Sequence, residues 1–232
     1  MRTKELFKEN AYLKSCYSKI IDIDKHWVIL DQTIFYAEGG GQLGDIGNFV
    51  IEDSQYKVKN TTRENNIIKH LLEDTTGLKV NDEVQCLINW DRRYRLMQIH
   101  TCLHLLCSII KAPVTGGSVG DGRGRLDFNL VNKPEKNIIA ESLQNLIDQN
   151  FEVSASWITN RELEENPNLV RTMSVTPPKG DGNIRMIKIG SDIDYQPCGG
   201  THVKKTSDIG TISVDKIENK GKQNKRIIIS LD

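Results

Sequence analysis

Short apolar runs divided by polar turns fill the first ninety residues of the chain. They are Tyr17-Ser-Lys-Ile-Ile-Asp-Ile23, His26-Trp-Val-Ile-Leu30, 47–52, Ile67–Leu72 and Glu83–Ile88, with Asn, Asp and Gly clusters between them. Asp24-Lys25 falls where a hairpin would turn, and the series predicts a small β-barrel or sandwich. Around residues 89–91 the period changes. Leu96, Met97, Leu103, Leu106 and Ile110 recur at helical spacing, which predicts an amphipathic helix over 92–111 that ends before Pro113. Pro134 is tolerated at a first helical position, and Ile138, Ile139, Leu143, Leu146 and Ile147 continue it as a second helix. Residues 114–128 read as a turn-rich connection leading into a strand, 160–168 as a short helix, and the stretch from Ile184 onward as strands. Pro177-Pro178-Lys-Gly-Asp-Gly182 reads as a surface loop. The pattern predicts an α+β protein of two domains, 1–89 and 90–232.

Charge narrows the partners. The 232 residues carry 31 Lys+Arg against 31 Asp+Glu, so there is no strongly basic coat for nucleic acid. The balance is uneven, however: 11 basic and 14 acidic residues in 1–89 give −3, and the remaining 20 and 17 give +3. Seven of those basic residues (Lys204, Lys205, Lys216, Lys220, Lys222, Lys225 and Arg226) fall within 204–226, which could be a solvated face or a guide for a polyanion. No apolar run is long enough for a membrane span or a signal peptide. Five cysteines without a repeating spacing do not read as a disulfide framework. A cytoplasmic protein with no membrane partner is the expectation.

Two short motifs about a hundred residues apart carry the candidate chemistry: His100-Thr-Cys-Leu-His104 and Cys198-Gly-Gly-Thr-His202. Histidines at i and i+4 project from one face of a helix. A thiolate and a third imidazole from a glycine turn could complete a tetrahedral nitrogen and sulfur site of the kind zinc prefers. Each motif alone also fits a half-buried histidine face or a tight turn. Together they take in three of the five histidines, and a shared metal is the better account. Cys107 ranks below Cys198 as a ligand because Leu-Leu-Cys-Ser-Ile-Ile reads as core. Asp127 and Asp194 could orient ligand histidines or could be strand-end residues.

Gly39-Gly-Gly-Gln-Leu-Gly44 formally matches a dinucleotide fingerprint, but turn and strand follow it where a helix is needed, and no Gly-Lys-Ser/Thr appears. It reads either as a hairpin turn or as a segment whose amides approach a ligand while Gln42 and Asp45 supply polar contacts. Thr101 stands where a metalloprotease would carry its general-base glutamate, so ester hydrolysis fits the site better than proteolysis.

Arg95-Leu-Met-Gln-Ile-His-Thr-Cys-Leu-His-Leu-Leu106, Gly117-Ser-Val119, Arg125-Leu-Asp-Phe128 and Pro197-Cys-Gly-Gly-Thr-His-Val203 resemble the editing domain of alanyl-tRNA synthetase. Phe35-Tyr-Ala-Glu-Gly-Gly-Gly-Gln-Leu-Gly-Asp-Ile-Gly47 resembles the glycine-rich segment preceding it. A free-standing chain of this kind is similar to the AlaX family in its medium-length form. The resemblance implies an N-terminal small β-barrel packed on a C-terminal α/β editing domain, and a bound zinc held by His100, His104, Cys198 and His202. It implies hydrolysis of mischarged Ser-tRNA(Ala) and Gly-tRNA(Ala), with no catalytic group beyond metal-bound water. It places Gly39, Gly40, Gly41 and Gln42 at the amino-acid pocket, and Thr33 on the preceding strand is a weaker candidate for the serine hydroxyl. Mischarged tRNA(Ala) is the expected partner, ATP is not expected, and the chain should be a monomer or weak dimer. Ala37 stands where the family commonly has proline, and Cys102 where it commonly has alanine. Two other readings compete: a non-catalytic tRNA- or ligase-associated module with a structural zinc, and a zinc esterase or amidase acting on small molecules.

Overall fold

In Glu83–Ile88 the residues Val84, Cys86 and Ile88 are buried and their neighbours are not, and in Ile67–Leu72 the same holds for Ile68, His70 and Leu72. Alternation of this kind gives each strand one core face. A computed structural model, which describes residues 3–170 and 183–232, rolls six strands into a closed barrel. They are β1 (Ser15–Asp24), β2 (Trp27–Leu30), β3 (Gly47–Ile51), β4 (Ser54–Glu64), β5 (Ile67–Leu72) and β6 (Glu83–Ile88). Around the barrel their order is β1-β2-β5-β4-β3-β6, with β6 closing onto β1, and neighbouring strands are antiparallel. Ile20, Leu30, Phe35, Phe49 and Val84 lie in its core.

The pattern predicted five of these six strands, with the β1–β2 hairpin turn one residue early: the turn is Lys25-His26, with Lys25 at φ 54. It missed β4. In Ser54–Glu64 only Val58 and Thr61 are buried, so the strand shows almost no apolar signal and is held by pairing to β3 and β5.

The chain divides into two compact units, Met1–Tyr94 and Arg95–Asp232. The helix α1 (Trp90–Ile109) therefore begins within the first unit, past the boundary expected after residue 89. Arg93 explains why. Its guanidinium is fully buried, donates from Nε to Asp45 Oδ1 and Oδ2 at 3.0 and 2.9 Å, and reaches the carbonyls of Ala11 at 3.0 Å and Ile34 at 2.7 Å. Removing one partner of such a buried pair typically costs about 3–5 kcal/mol.

In the second unit, Leu96, Met97, Ile99, Leu103, Leu105 and Leu106 of α1 are all buried, as are Cys102 and Cys107. The expected amphipathic stripe is thus a helix buried on every side from Leu96 onward, the arrangement of a core helix. Each fully buried Leu or Met contributes about 1.5–3 kcal/mol. Residues 114–128 are not a loop before a strand but two strands, β7 (Val114–Val119) and β8 (Arg123–Asn129), turning at Gly122 with φ +74. Gly124 of β8 is required by packing: a Cβ there would come within 2.5 Å of Ile99 Cγ2 and 3.2 Å of Leu103 Cδ1.

α2 (Lys136–Asp148) buries Ile139, Leu143 and Ile147 and starts two residues after the expected Pro134. β9 (Val153–Thr159), missed for its mostly exposed Ser-Ala-Ser-Trp stretch, is followed by α3 (Asn160–Glu165), which is closed by a Thr159/Glu162 capping box. β10 (Asn183–Ile189), β11 (Asp194–Pro197), β12 (Ile212–Gly221) and β13 (Asn224–Leu231) follow. Two antiparallel sheets result, β12-β13-β8-β7 and β9-β10-β11. The expected loop 177–182 lies outside the described residues. Among the described residues no helix is long and apolar enough to cross a membrane.

Candidate metal centre

His100 and His104 stand one turn apart on α1, with ring centroids 5.3 Å apart, because i and i+4 share a helix face. The other half of the cluster follows β11. Its position is fixed by Arg185 of β10, whose carbonyl accepts from Cys198 N–H at 3.0 Å and whose Nη1 donates to the carbonyls of Cys198 and Gly200 at 2.9 and 2.8 Å. This brings Cys198 Sγ to 3.4 Å from His100 Nε2 and 3.3 Å from His202 Nε2. The ligand atoms of His100, His104, Cys198 and His202 all lie within 4.8 Å of one another. Cys107 is not part of the group.

The remaining ring nitrogens of two histidines are taken up elsewhere. His104 Nδ1 lies 2.8 Å from Asp194 Oδ2, and Gln196 Nε2 donates to the same carboxylate oxygen at 2.9 Å. Asp194 and Gln196 are two apart on β11 and so share a face. His202 Nδ1 lies 3.1 Å from Thr101 Oγ1. The Thr101 hydroxyl donates to the Met97 carbonyl at 2.9 Å, so its oxygen accepts from His202 Nδ1 and from Val203 N–H at 3.2 Å. Nδ1 of each ring is thus committed to an oxygen partner, the outer-shell arrangement common around metal-bound histidine.

Electrostatics favour the donor forms at the thiol and at His202. Burial acts to raise the Cys198 thiol, but the charge of His100 and hydrogen bonds from His100 and His104 hold it well below its ordinary value, as a thiolate. Burial, with the charge of His100, holds His202 well below its ordinary value, as a neutral ring. His104 is raised to about 10: burial opposes protonation, but Asp194 and Cys198 outweigh it. Three imidazoles and one thiolate are the donors zinc takes, and the two sulfur–nitrogen separations are close to the roughly 3.6 Å edge of a tetrahedral zinc site. The residues present fit that ion.

Sequence reasoning took Thr101 only as a missing glutamate and did not find Gln196 or Arg185, since neither belongs to a ligand motif. Asp194 takes the orienting position considered for it. Asp127 does not: Arg226 holds it from Nε and Nη2, each at 2.8 Å, and Arg125 Nη1 at 2.7 Å. Burial works against it, yet the two guanidiniums keep its carboxyl below the ordinary value.

The glycine run belongs to the first unit. Gly40 and Gly41, at φ 57 and 85, turn the chain so that Gly39 N–H donates to the Gln42 carbonyl at 3.1 Å and Gln42 N–H to that of Gly39 at 2.9 Å. No helix starts at Gly44, in keeping with the rejected dinucleotide site. The Gln42 side chain is fully buried. Asp45, considered as a ligand contact, is instead held by Arg93 and by Tyr36 N–H at 2.6 Å. Thr33 is buried too, its hydroxyl 2.9 Å from His70 Nε2 and 3.1 Å from Phe35 N–H.

The basic stretch 204–226 is less open than its count suggests. Lys216 and Lys220 pair with Glu218, Arg226 with Asp127, and Lys225 is buried with Nζ donating to the Lys222 carbonyl at 3.2 Å.

A closed barrel followed by a mixed α/β unit with a buried three-histidine, one-cysteine cluster has counterparts among proteins of aminoacylation. Residues 4–92 match the family described as tRNA synthetases class II (A), and 184–228 match the threonyl and alanyl tRNA synthetase second additional domain. The chain is thus of the class related to tRNA synthetases and their additional domains. It is 34% identical to the alanyl-tRNA editing protein AlaX-M of Saccharolobus solfataricus over 97% of each chain, and 32% identical to that of Methanosarcina mazei over 99% of this chain and 96% of the relative. It is also 35% identical to the alanine–tRNA ligase of Sulfurisphaera tokodaii, covering 93% of this chain but 25% of the ligase. The chain belongs to the AlaX family of alanyl-tRNA editing proteins, in its medium-length form.

Proposed function

We propose that the protein is a zinc-dependent aminoacyl-tRNA deacylase that hydrolyses mischarged Ser-tRNA(Ala), and Gly-tRNA(Ala), to free amino acid and tRNA. The observation that carries this is the convergence of four ligand atoms within 4.8 Å in a buried setting where Asp194 and Thr101 orient two of the imidazoles. Zinc held by His100, His104, Cys198 and His202 would polarise the ester carbonyl and make water acidic enough to attack near neutral pH. Asp194 holds the His104 proton at Nδ1, and Thr101 holds that of His202 at Nδ1, so neither ring can turn away. Arg185 fixes the Cys198–Gly200 turn through two carbonyls. Ester hydrolysis releases free energy without a nucleotide, so the reaction calls for no ATP.

Discrimination is assigned to Gln42. An apolar pocket cannot select strongly on one hydroxyl, whereas a polar side chain at the pocket can. The support is its complete burial on a glycine turn; Gly39, Gly40 and Gly41 give the turn its shape. Thr33 on the preceding strand is the weaker candidate; its hydroxyl meets His70 and Phe35 N–H. The substrate is a tRNA in a cytoplasmic setting, and its approach is not assigned to 204–226 alone, given the pairing within that stretch.

A second reading has one observation in its favour: four protein donors would close a zinc site, as in structural centres. Cys198→Ala separates the two. On the deacylase reading it loses zinc by elemental analysis and lowers Ser-tRNA(Ala) hydrolysis by about 100-fold or more. Wild-type hydrolysis in a variant that has lost the metal would leave the cluster a structural centre.

A further inference from the structure

The strands Ser15–Asp24 and Glu83–Ile88, first and last in the barrel along the chain, are neighbours in register, and Cys16 lies directly opposite Cys86. Two bonds place this pair on a hydrogen-bonded rung: Ile88 N–H to the Lys14 carbonyl at 3.1 Å and Ile20 N–H to that of Asp82 at 2.9 Å. Opposed Cα atoms on such rungs are about 5.5 Å apart, inside the roughly 4.4–6.8 Å that disulfides span. Both thiols meet one hydroxyl, Ser18 Oγ, at 3.3 Å from Cys16 Sγ and 3.7 Å from Cys86 Sγ. Cys16 is half-buried, within reach of a small oxidant, while Cys86 is fully buried.

We propose that Cys16 and Cys86 form an oxidation site, which hydrogen peroxide closes to a reversible cross-strand disulfide. The Cys16 thiolate attacks one peroxide oxygen, the O–O bond breaks, and the departing hydroxide takes a proton to become water. Cys16 is left as a sulfenic acid. The Cys86 sulfur then displaces hydroxide from it, forming the S–S bond as the S–O bond breaks. The Cys86 proton leaves with that hydroxide as a second water, relayed by Ser18. Two thiols have lost two electrons and two protons, and one peroxide has become two waters.

The division of labour follows from the surroundings. A hydrogen bond from Cys86 brings the Cys16 thiol down to about 7 against its burial, so thiolate is present at neutral pH. Burial pushes Cys86 well up, which suits the partner that keeps its proton until the second step. Cys102, driven up to about 12 by burial, has no such activation.

The test is peroxide titration of the full chain, with thiol counting and peptide mass mapping. The expected result is loss of two of the five thiols, a linked Cys16–Cys86 peptide, and reversal by dithiothreitol. Linking the barrel's first strand to its last should also raise the unfolding temperature by about 5 °C or more. In Cys86→Ser, Cys16 should stop as a sulfenic acid that dimedone traps. Unlinked Cys16 and Cys86 at peroxide levels that already oxidise Cys198 would overturn the proposal, as would failure of dimedone to label Cys16 in the variant.

Discussion

The barrel and the second unit each bury histidine, to opposite ends. In the barrel, His70 donates from Nδ1 to the Val28 carbonyl at 3.0 Å and accepts at Nε2 from Thr33, with the rings of Phe35 and Phe49 at 5.5 and 5.3 Å. Both nitrogens are used within the core. In the second unit, His104 and His202 each spend Nδ1 on an orienting oxygen and share a cluster with Cys198, whose sulfur lies 3.3 Å from His202 Nε2. Burial by itself therefore does not mark a reactive histidine. What marks it is a second nitrogen that its own surroundings leave for a ligand.

The largest effect that sharpens this contrast is on acid stability. Burial drives His70 from 6.5 down to about 4. Between those values the unfolded chain takes up a proton that the native barrel refuses, so stability falls as pH falls, by about 1.4 kcal/mol per pH unit. Over the window this amounts to about 3 kcal/mol. Urea unfolding at several pH values should show that slope flattened in His70→Gln; an unchanged slope would assign the acid sensitivity to other groups. At the cluster, Asp194→Asn should weaken zinc binding by about 10- to 100-fold while the fold persists. Competition with a chromophoric chelator measures this, and wild-type affinity would make Asp194 a bystander to His104. Smallest is Gln42→Ala, which should narrow the ratio of Ser- to Ala-tRNA(Ala) hydrolysis by about tenfold, the equivalent of about 1.4 kcal/mol. A ratio that stays at the wild-type value with zinc still bound would leave Gln42 a turn residue.

The same contrast explains what was legible in the sequence. His100, His104, Cys198 and His202 could be named from spacing because few other duties require those residue types at i, i+4 and beside a glycine turn. Asp45, Asp127 and Thr33 were ambiguous for the converse reason: carboxylates and hydroxyls serve backbone amides and guanidiniums equally well, and here Arg93, Arg226 and His70 take them up. Strands with alternating apolar residues were found, whereas β4 and β9 were not, since pairing holds strands whose own side chains bury little. Arg185 and Gln196 act through contacts made only when β10 and β11 pair, which no local pattern records.

The most direct test removes the metal and returns it. Elemental analysis of the purified chain should find one zinc per molecule. Dialysis against a chelator should abolish Ser-tRNA(Ala) deacylation with the circular dichroism spectrum retained, and added zinc should restore it. Full deacylation by a metal-free chain would contradict the account, and so would a purified chain that holds no metal.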